Sequence, residues 1–198
     1  MKSLLSVLLL MFSIISFGQK KYSTNEIINS FPFSKTTKVK IVSYNTDFVS
    51  DYPIPLPPIG KNGDSTMIKR IIENQKNLIK LPDIIGKEQL EGIKQSKILN
   101  LNDTLELSKI LYNTCGKFSS DVREVVKCFF PRNAVLFYDE NDKVFEILEI
   151  CFECQGVRFM SDKSMEVNYM CDDFYQKIEN YFKANGFSTQ FSKENWRK

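Results

Sequence analysis

Residues 128–154 read CFFPRNAVLFYDENDKVFEILEICFEC, and they carry the strongest structural pattern in the sequence. Two apolar runs, Ala134–Tyr138 and Val144–Cys151, flank the polar segment Asp139–Lys143. Apolar runs of this length that are separated by turn-forming residues are typical of a β-hairpin. We therefore predict that the two runs pair as antiparallel strands around a five-residue turn.

The turn and the residues after the hairpin carry further local signals. Asn141 or Asp142 is expected to adopt a positive φ, because Asn and Asp tolerate this conformation better than most residues. Beyond the hairpin, Gly156 permits a sharp turn. The stretches Val157–Met160 and Met165–Tyr169 are each suited to a further strand, which would extend the hairpin into a small antiparallel sheet.

The rest of the chain offers two more strands and three helices. Alternating or β-branched residues indicate the strands, while apolar residues at helical spacing next to capping residues indicate the helices. The predicted strands are Thr36–Tyr44 and Lys97–Leu101, and the predicted helices run from Asp64 or Ser65 to Ile79, from Asn102 or Asp103 to Asn113, and from Asp172 or Asp173 to Gly186.

The last of these helices has the clearest pattern. Gly186 lies where a left-handed C-terminal cap is needed, and Phe187 follows where it can pack back onto the last turn. A stripe of apolar residues needs a sheet to cover; it consists of Phe174, Ile178, Tyr181 and Phe182.

Together these elements predict an α+β fold. We expect a small, mostly antiparallel sheet centred on the hairpin at 134–151, with two or three helices packed on it. The predicted organisation is a signal peptide at 1–18, a flexible arm at 19–36, one domain at 37–192 that contains a proline-rich loop at 51–64, and a frayed tail at 193–198.

The first residues, MKSLLSVLLLMFSIISFGQ, have the pattern of a secretory signal. Lys2 precedes an apolar core at Leu4–Ile15, and small residues at Ser16 and Gly18 suit a signal peptidase, so we expect cleavage after Gly18. No cysteine is available there to carry a lipid, and no later stretch is apolar enough for a stable membrane anchor. We therefore expect export to the periplasm or the extracellular space.

Composition excludes several classes of function. The formal net charge of +3 becomes +2 when Lys2 is removed, because residues 1–18 hold no acidic residue, and this gives no electrostatic surface for nucleic acid. The chain contains no histidine, which excludes Ser/His/Asp and Cys/His catalysis and histidine-ligated zinc. No catalytic residue is therefore assigned, and the sequence favours a protein that is not an enzyme.

Five cysteines are present, which in an exported protein first indicates disulfides. Because the number is odd, at least one is free or pairs between chains, unless all stay reduced. Counted outward from the turn, Cys154 is the symmetrical partner of Cys128, while irregular backbone at Pro131 leaves Cys151 as an alternative. The remaining two are Cys115 and Cys171.

Two active interpretations of the cysteines stay open. Cys151 and Cys154 form a C-x-x-C pair, which is the spacing of thiol redox motifs, although no helix is predicted to follow them. Alternatively, Cys151, Cys154 and Cys128 meet at the hairpin end and bind zinc, with Cys115 as a fourth ligand. No other cofactor is indicated.

Charged residues near the hairpin end offer further candidates. Glu149 and Glu153 share a strand face with Cys151, while Glu146 points the other way, and we interpret these carboxylates as a solvated strand edge. Arg132 and Arg158 are candidates for an anion-binding corner.

The segments CFFPRN and ICFEC, joined by a hydrophobic strand and an acidic turn, resemble a pattern in uncharacterised exported bacterial proteins. The resemblance spans residues 128–154 and implies that Cys128, Pro131 and Arg132 form one unit with the C-x-x-C pair; it implies no activity. The sequence thus favours a non-catalytic binding or structural module with an unidentified partner. The alternatives are a thiol-redox or zinc-binding protein and a small inhibitor or immunity-type protein.

Overall fold

A computed structural model describes residues 21–46, 79–84, 92–115, 129–161 and 171–190. Within these ranges the chain forms a five-stranded antiparallel sheet and three α-helices, so the predicted α+β fold is confirmed. The strands lie in the order β2-β1-β3-β4-β5. Their bounds are Lys38–Ser43 (β1), Gln95–Ile98 (β2), Asn133–Tyr138 (β3), Val144–Cys151 (β4) and Gly156–Phe159 (β5).

The predicted hairpin is confirmed as β3 and β4, and β3 is the middle strand of the sheet. All six residues of β3 are buried, because it pairs with β1 on one side and β4 on the other and both of its faces are covered. In the turn, Oδ1 of Asp139 accepts hydrogen bonds from the backbone N–H groups of Asn141 and Lys143, at 2.9 and 3.0 Å. Asp142 has the expected positive φ, at 61°.

Three helices accompany the sheet: Thr24–Ile28 (α1), Leu101–Asn113 (α2) and Asp172–Ala184 (α3). They pack on one sheet face, which we call the helix face, and bury its apolar side chains together with their own. The side chains on the strands of this face are Val39, Ile41, Val135, Phe137, Leu148 and Ile150, and those on the helices include Ile27, Leu107, Leu111, Phe174, Ile178 and Phe182.

The opposite sheet face, which we call the far face, has an apolar cluster of its own. A short 3-10 helix at Leu81–Ile84 contributes Leu81, which is fully buried against this face. The middle of the far face is apolar, and charged side chains lie on it where the last part of β4 pairs with β5. Its buried strand side chains are Val42, Tyr44, Ala134, Leu136, Tyr138, Val144 and Ile147.

The ends of α2 and α3 follow the rules for helix termini. The side chain of Asn100 caps α2 by accepting a hydrogen bond from the N–H of Asp103 at 2.9 Å, so the helix begins earlier than predicted. Gly186 follows α3 with φ of +81°. The N–H of Phe187 then bonds to the carbonyl of Phe182 at 3.0 Å, and the two rings lie 5.8 Å apart. The predicted C-terminal cap is therefore confirmed.

The expectation of a flexible arm over 19–36 is wrong for the part that is described. Ser23 and Glu26 form a capping box at the start of α1, and Ile27 is buried between the helices and the sheet. The side-chain amide of Asn113 also holds the backbone of Tyr22 at both its N–H and its carbonyl, at 2.7 and 3.0 Å. This region is part of the fold because its capping and apolar contacts offset the entropy of ordering it.

Other expectations differ in their bounds or cannot be compared. The strand predicted at Lys97–Leu101 lies instead at Gln95–Ile98, because Asn100 is taken up as the cap of α2. Several predicted features lie outside the described residues: the signal peptide, the proline-rich loop at 51–64, the helix to Ile79 except its last residue, the strand at Met165–Tyr169, the tail at 193–198, and Cys128. Among the helices of the described ranges, none combines the length and the apolarity that crossing a bilayer requires.

Candidate functional site

The open end of the β3–β4 hairpin gathers most of the residues that the sequence marked for chemistry. We call this region the hairpin mouth and define it as residues 129–132 together with 151–158. The antiparallel pairing of β3 and β4 forms this region, because it places the first residue of β3 beside the last residues of β4. A tight turn at 152–155 then leads into β5, with Gln155 in the left-handed region at φ of 48°.

Arg132 lies at the centre of the hairpin mouth and is almost fully buried. Its Nε and Nη2 atoms donate to the two carboxylate oxygens of Glu153, at 3.1 and 3.4 Å. Its Nη1 atom donates to the carbonyl of Asn45 at 2.5 Å, and the guanidinium lies 4.7 Å from the centre of the Phe130 ring. This forked arrangement uses the planar geometry that distinguishes arginine from lysine.

A second ionic group lies on the far face beside it. Arg158 donates to Oε2 of Glu149 from Nη2 and Nε, at 2.6 and 3.0 Å. The hydroxyl of Tyr44 donates to Oε1 of the same carboxylate at 3.1 Å. Burial, followed by the charge of Glu149, raises the pKa of Tyr44 well above its ordinary value of 10.0, so the tyrosine remains a donor.

The aromatic ring of Phe129 packs on the Arg158 side of this ionic group. The guanidinium of Arg158 lies 4.7 Å from the centre of the Phe129 ring, a cation–π contact. The same ring packs against Gly156, where an added Cβ would come within 3.0 Å of ring carbon Cδ2. A side chain at position 156 would therefore crowd the Phe129 ring, whereas the sharp turn is made by Gln155.

The arrangement bears on the predicted anion-binding corner. Arg132 and Arg158 both belong to the hairpin mouth, as the sequence indicated. Each guanidinium is, however, paired with a glutamate of the same chain, Glu153 or Glu149. Their charges are therefore compensated within the fold, and an anion would have to displace a carboxylate.

The interpretation of the glutamates as a solvated strand edge is wrong for Glu146 and Glu149, which are both buried. Glu146 lies on the helix face and accepts hydrogen bonds from the N–H groups of Ile147, Met160 and Ser161, at 2.9, 2.9 and 3.3 Å, and from the Ser161 hydroxyl. It thereby fixes the end of β5 to β4. A buried carboxylate is tolerated when its lone pairs are occupied in this way.

The cysteines fall into different classes. Cys115, which follows α2, forms a disulfide with Cys171, the residue that caps α3, and their Cα atoms lie 5.6 Å apart. Cys154 is also disulfide-bonded. Cys151 is a free thiol and is buried. The proposed pairing of Cys128 with Cys154 stays a prediction, since Cys128 lies outside the described residues.

These assignments correct the predicted zinc ligands. Cys115 cannot serve as a fourth ligand while it is bonded to Cys171, because zinc binds a thiolate and a disulfide sulfur carries no such charge. The C-x-x-C pair is likewise divided between one thiol and one disulfide sulfur. Within the described ranges, no three Cys, Asp or Glu side chains are grouped closely enough to hold a metal ion.

The environment of Cys151 is set by the turn after β4 and by the segment that precedes β3. The backbone N–H groups of Phe130 and Cys154 donate hydrogen bonds to its sulfur. Burial is the largest influence and raises the pKa of the Cys151 thiol above 9.0, and the carboxylate of Glu153 adds to this. The two N–H donors and the charge of Arg132 act in the opposite direction but are weaker. At neutral pH the thiol is therefore protonated.

The sequence pattern does not predict three members of this region: Tyr44, Asn45 and Phe129. Tyr44 is the last residue of the predicted strand Thr36–Tyr44, but nothing local indicates that it meets a glutamate of β4, since β3 lies between β1 and β4. Asn45 has a positive φ of 53°, which is consistent with its place just after a strand, although the pattern gives no partner.

Comparisons with known proteins add no family to this description. No protein-family model matches the sequence, and neither the curated proteins nor the solved structures contain a significant match. Any functional conclusion therefore depends on the residues themselves.

Proposed function

We propose that this protein is an exported, disulfide-stabilised α+β module with a non-catalytic binding or structural role. The observation that carries the proposal is the disulfide between Cys115 and Cys171, which ties the end of α2 to the start of α3. Disulfides persist in oxidising compartments and are rare in the cytosol. The apolar segment before Gly18 supplies the matching export signal.

The pairing of charges at the hairpin mouth supports the non-catalytic part of the proposal. Catalytic carboxylates must be able to exchange a proton with a substrate or attack it. Here the carboxylate of Glu149 is taken up by Tyr44 and Arg158, and that of Glu153 by Arg132. Both glutamates thus satisfy buried donors of the fold, which is a structural role.

Export is tested with the full-length chain expressed in a bacterial host. Cell fractionation and N-terminal sequencing should locate the product outside the cytosol with Gln19 as its first residue. A Leu9→Arg variant, which places a charge in the apolar core of the signal, should leave the chain uncut in the cytosol, whereas Leu9→Phe should be exported normally. An uncut chain in the cytosol for the unchanged sequence would refute the proposed location.

The oxidation state is tested by alkylating the purified protein in denaturant and measuring its mass. If Cys128 is the partner of Cys154, one thiol should react without reductant and all five after reduction. Five reactive thiols before reduction would contradict the proposed disulfide-stabilised module.

A further inference from the structure

Two lysines of β1, Lys38 and Lys40, share one aromatic ring on the far face of the sheet. They lie two residues apart on the strand, so their side chains leave it on the same face. The Lys38 ammonium lies 4.2 Å from the centre of the Tyr138 ring, and the Lys40 ammonium lies 5.2 Å from it. One ring therefore attracts two like charges, which repel each other.

The two cations are compensated unequally. Lys38 is the nearer to the Tyr138 ring, and its ammonium also forms an ion pair with the carboxylate of Asp142. Lys40 has no ion pair with a carboxylate in the ranges that the structure describes. The side chain of Asp142 is 75% exposed, so water screens its longer-range attraction for Lys40.

The neighbouring strands surround Lys40 with apolar side chains. Its register partners are Ile98 on β2 and Leu136 on β3. Burial raises the pKa of Tyr138 to about 12, so at neutral pH the ring next to Lys40 carries an uncharged hydroxyl and supplies no compensating anion. Lys40 is nevertheless partly exposed, and a small molecule can reach its amine.

These surroundings favour the neutral form of the amine. Burial, followed by the charge of Lys38, lowers the pKa of Lys40 below its ordinary value of 10.5, and the charge of Asp142 opposes this less strongly. A lysine that is desolvated or placed next to another cation is a better nucleophile, because the neutral amine is the reactive form.

We propose that Lys40 is a covalent binding site for small oxo acids, compounds that carry an aldehyde or ketone carbonyl and a carboxylate. The neutral amine attacks the carbonyl carbon and forms a C–N bond, while the carbonyl oxygen takes up a proton. The C–O bond then breaks, the oxygen leaves as water, and a C=N bond forms. Both hydrogens of the amine end in the water, so amine and carbonyl give imine and water without an oxidant or a reductant.

The charges of the cluster favour a carbonyl compound that carries a carboxylate. Lys38, Lys40 and Asp142 together have two positive charges and one negative charge. The protonated imine is again a cation, so the same excess positive charge is present after the reaction. A carboxylate on the bound compound supplies the anion that Lys40 lacks among its described neighbours. This inference goes beyond the proposed function and is independent of it, since an exported module needs no reactive lysine.

The test uses the purified full chain at about pH 7, with glyoxylate as the probe and cyanoborohydride to reduce the imine to a stable amine. The reaction is stopped while most molecules are unlabelled, and digestion with mass spectrometry gives the labelled fraction of each lysine. Lys109 and Lys183 are the references, because both are exposed on helices whereas Lys40 is only partly exposed. We expect Lys40 to be labelled at least about threefold faster than either reference. Exposure alone would give the reverse order.

Two variants should change the labelling of Lys40 in opposite directions. Lys38→Gln removes the repelling cation and should lower it about two- to threefold relative to the references. Asp142→Asn removes the opposing carboxylate and should raise it about twofold. Asn suits the positive φ of position 142, so the turn should be retained. Loss of folded structure cannot produce changes of opposite sign at one residue.

The proposal is overturned if Lys40 of the unchanged chain is labelled no faster than Lys109 and Lys183. It is also overturned if the two variants shift the labelling of Lys40 in the same direction. Glycolaldehyde, an uncharged aldehyde of similar size, tests the class of compound, and its preference for Lys40 should be about twofold weaker than that of glyoxylate. Equal preference for the two aldehydes would overturn the assignment to oxo acids.

Discussion

The phenolic oxygen of Tyr44 lies 3.1 Å from Oε1 of Glu149, and both residues are buried on the far face of the sheet. Tyr44 follows β1 and Glu149 belongs to β4, so this contact spans β3. Arg158 of β5 holds the other oxygen of the carboxylate. The three side chains therefore connect three strands through one buried charge.

Removing the hydroxyl of Tyr44 measures how much this hydrogen bond contributes to stability. We expect Tyr44→Phe to lower the free energy of unfolding by about 1–3 kcal/mol, because a buried carboxylate oxygen loses its donor. Urea denaturation measures the change. Tyr138→Phe is the matched control: its ring lies 4.2 Å from the Lys38 ammonium and is retained, so a smaller loss is expected. Equal stability of Tyr44→Phe and the unchanged protein would contradict the assigned role of the hydrogen bond.

The raised pKa values of three buried tyrosines predict that the protein loses stability at alkaline pH. Burial raises the pKa of Tyr44, Tyr112 and Tyr181 above 10.0, so each binds its proton more tightly in the folded state than in the unfolded chain. Their contribution is complete below about pH 10, and the free energy of unfolding should fall as the pH rises above that value. Urea denaturation from about pH 8 to about pH 11 measures this. The fall should be shallower in Tyr44→Phe, and an equally steep fall would argue against the raised pKa of Tyr44.

Neighbouring isoleucines of α1 provide a test of the N-terminal region. Ile27 is 1% exposed and Ile28 is 47% exposed. Ile27→Ala should cost about 2–4 kcal/mol of unfolding free energy, because it leaves a cavity between the helices and the sheet. Ile28→Ala should change stability by no more than about 0.5 kcal/mol. Similar, small effects of the two substitutions in urea denaturation would restore the interpretation of residues 19–36 as a flexible arm.

The disulfide between Cys115 and Cys171 closes a sequence separation of 56 residues. The double variant Cys115→Ser, Cys171→Ser should lose about 4 kcal/mol of stability, the amount that loop-closure entropy predicts for this length. Thermal unfolding of the variant and the unchanged protein gives the difference. Cys151→Ser, which removes a thiol but no cross-link, is the control with a smaller expected loss. A double variant as stable as this control would show that the cross-link does little.

The sequence predicts the hairpin and α3 well because their signals are local. The turn at 139–143 and the cap at Gly186 each combine a residue suited to positive φ with adjacent apolar positions, so no distant contact is needed to recognise them. The bounds of β2 are harder to predict, because this short strand is followed almost at once by Asn100, which caps α2.

The parts that the sequence does not predict depend on distant contacts. The capping-box spacing of Ser23 and Glu26 is visible in the sequence, but the helix is too short to stand alone and depends on packing around Ile27. Glu149 is recognised as buried only when Tyr44 and Arg158 are known to reach it. Disulfide connectivity also depends on distant contacts, since the spacing of the cysteines does not indicate that Cys115 pairs with Cys171.

The middle position of β3 has a consequence for how the chain folds. Its hairpin partner, β4, follows within one turn, whereas β1 pairs Val39 with Phe137, which lies 98 residues later in the sequence. Contacts of such long range pay a loop-closure entropy that local contacts avoid, and they slow folding. During synthesis β1 emerges early and has to wait for β3, so the sheet closes only when most of the chain has been made.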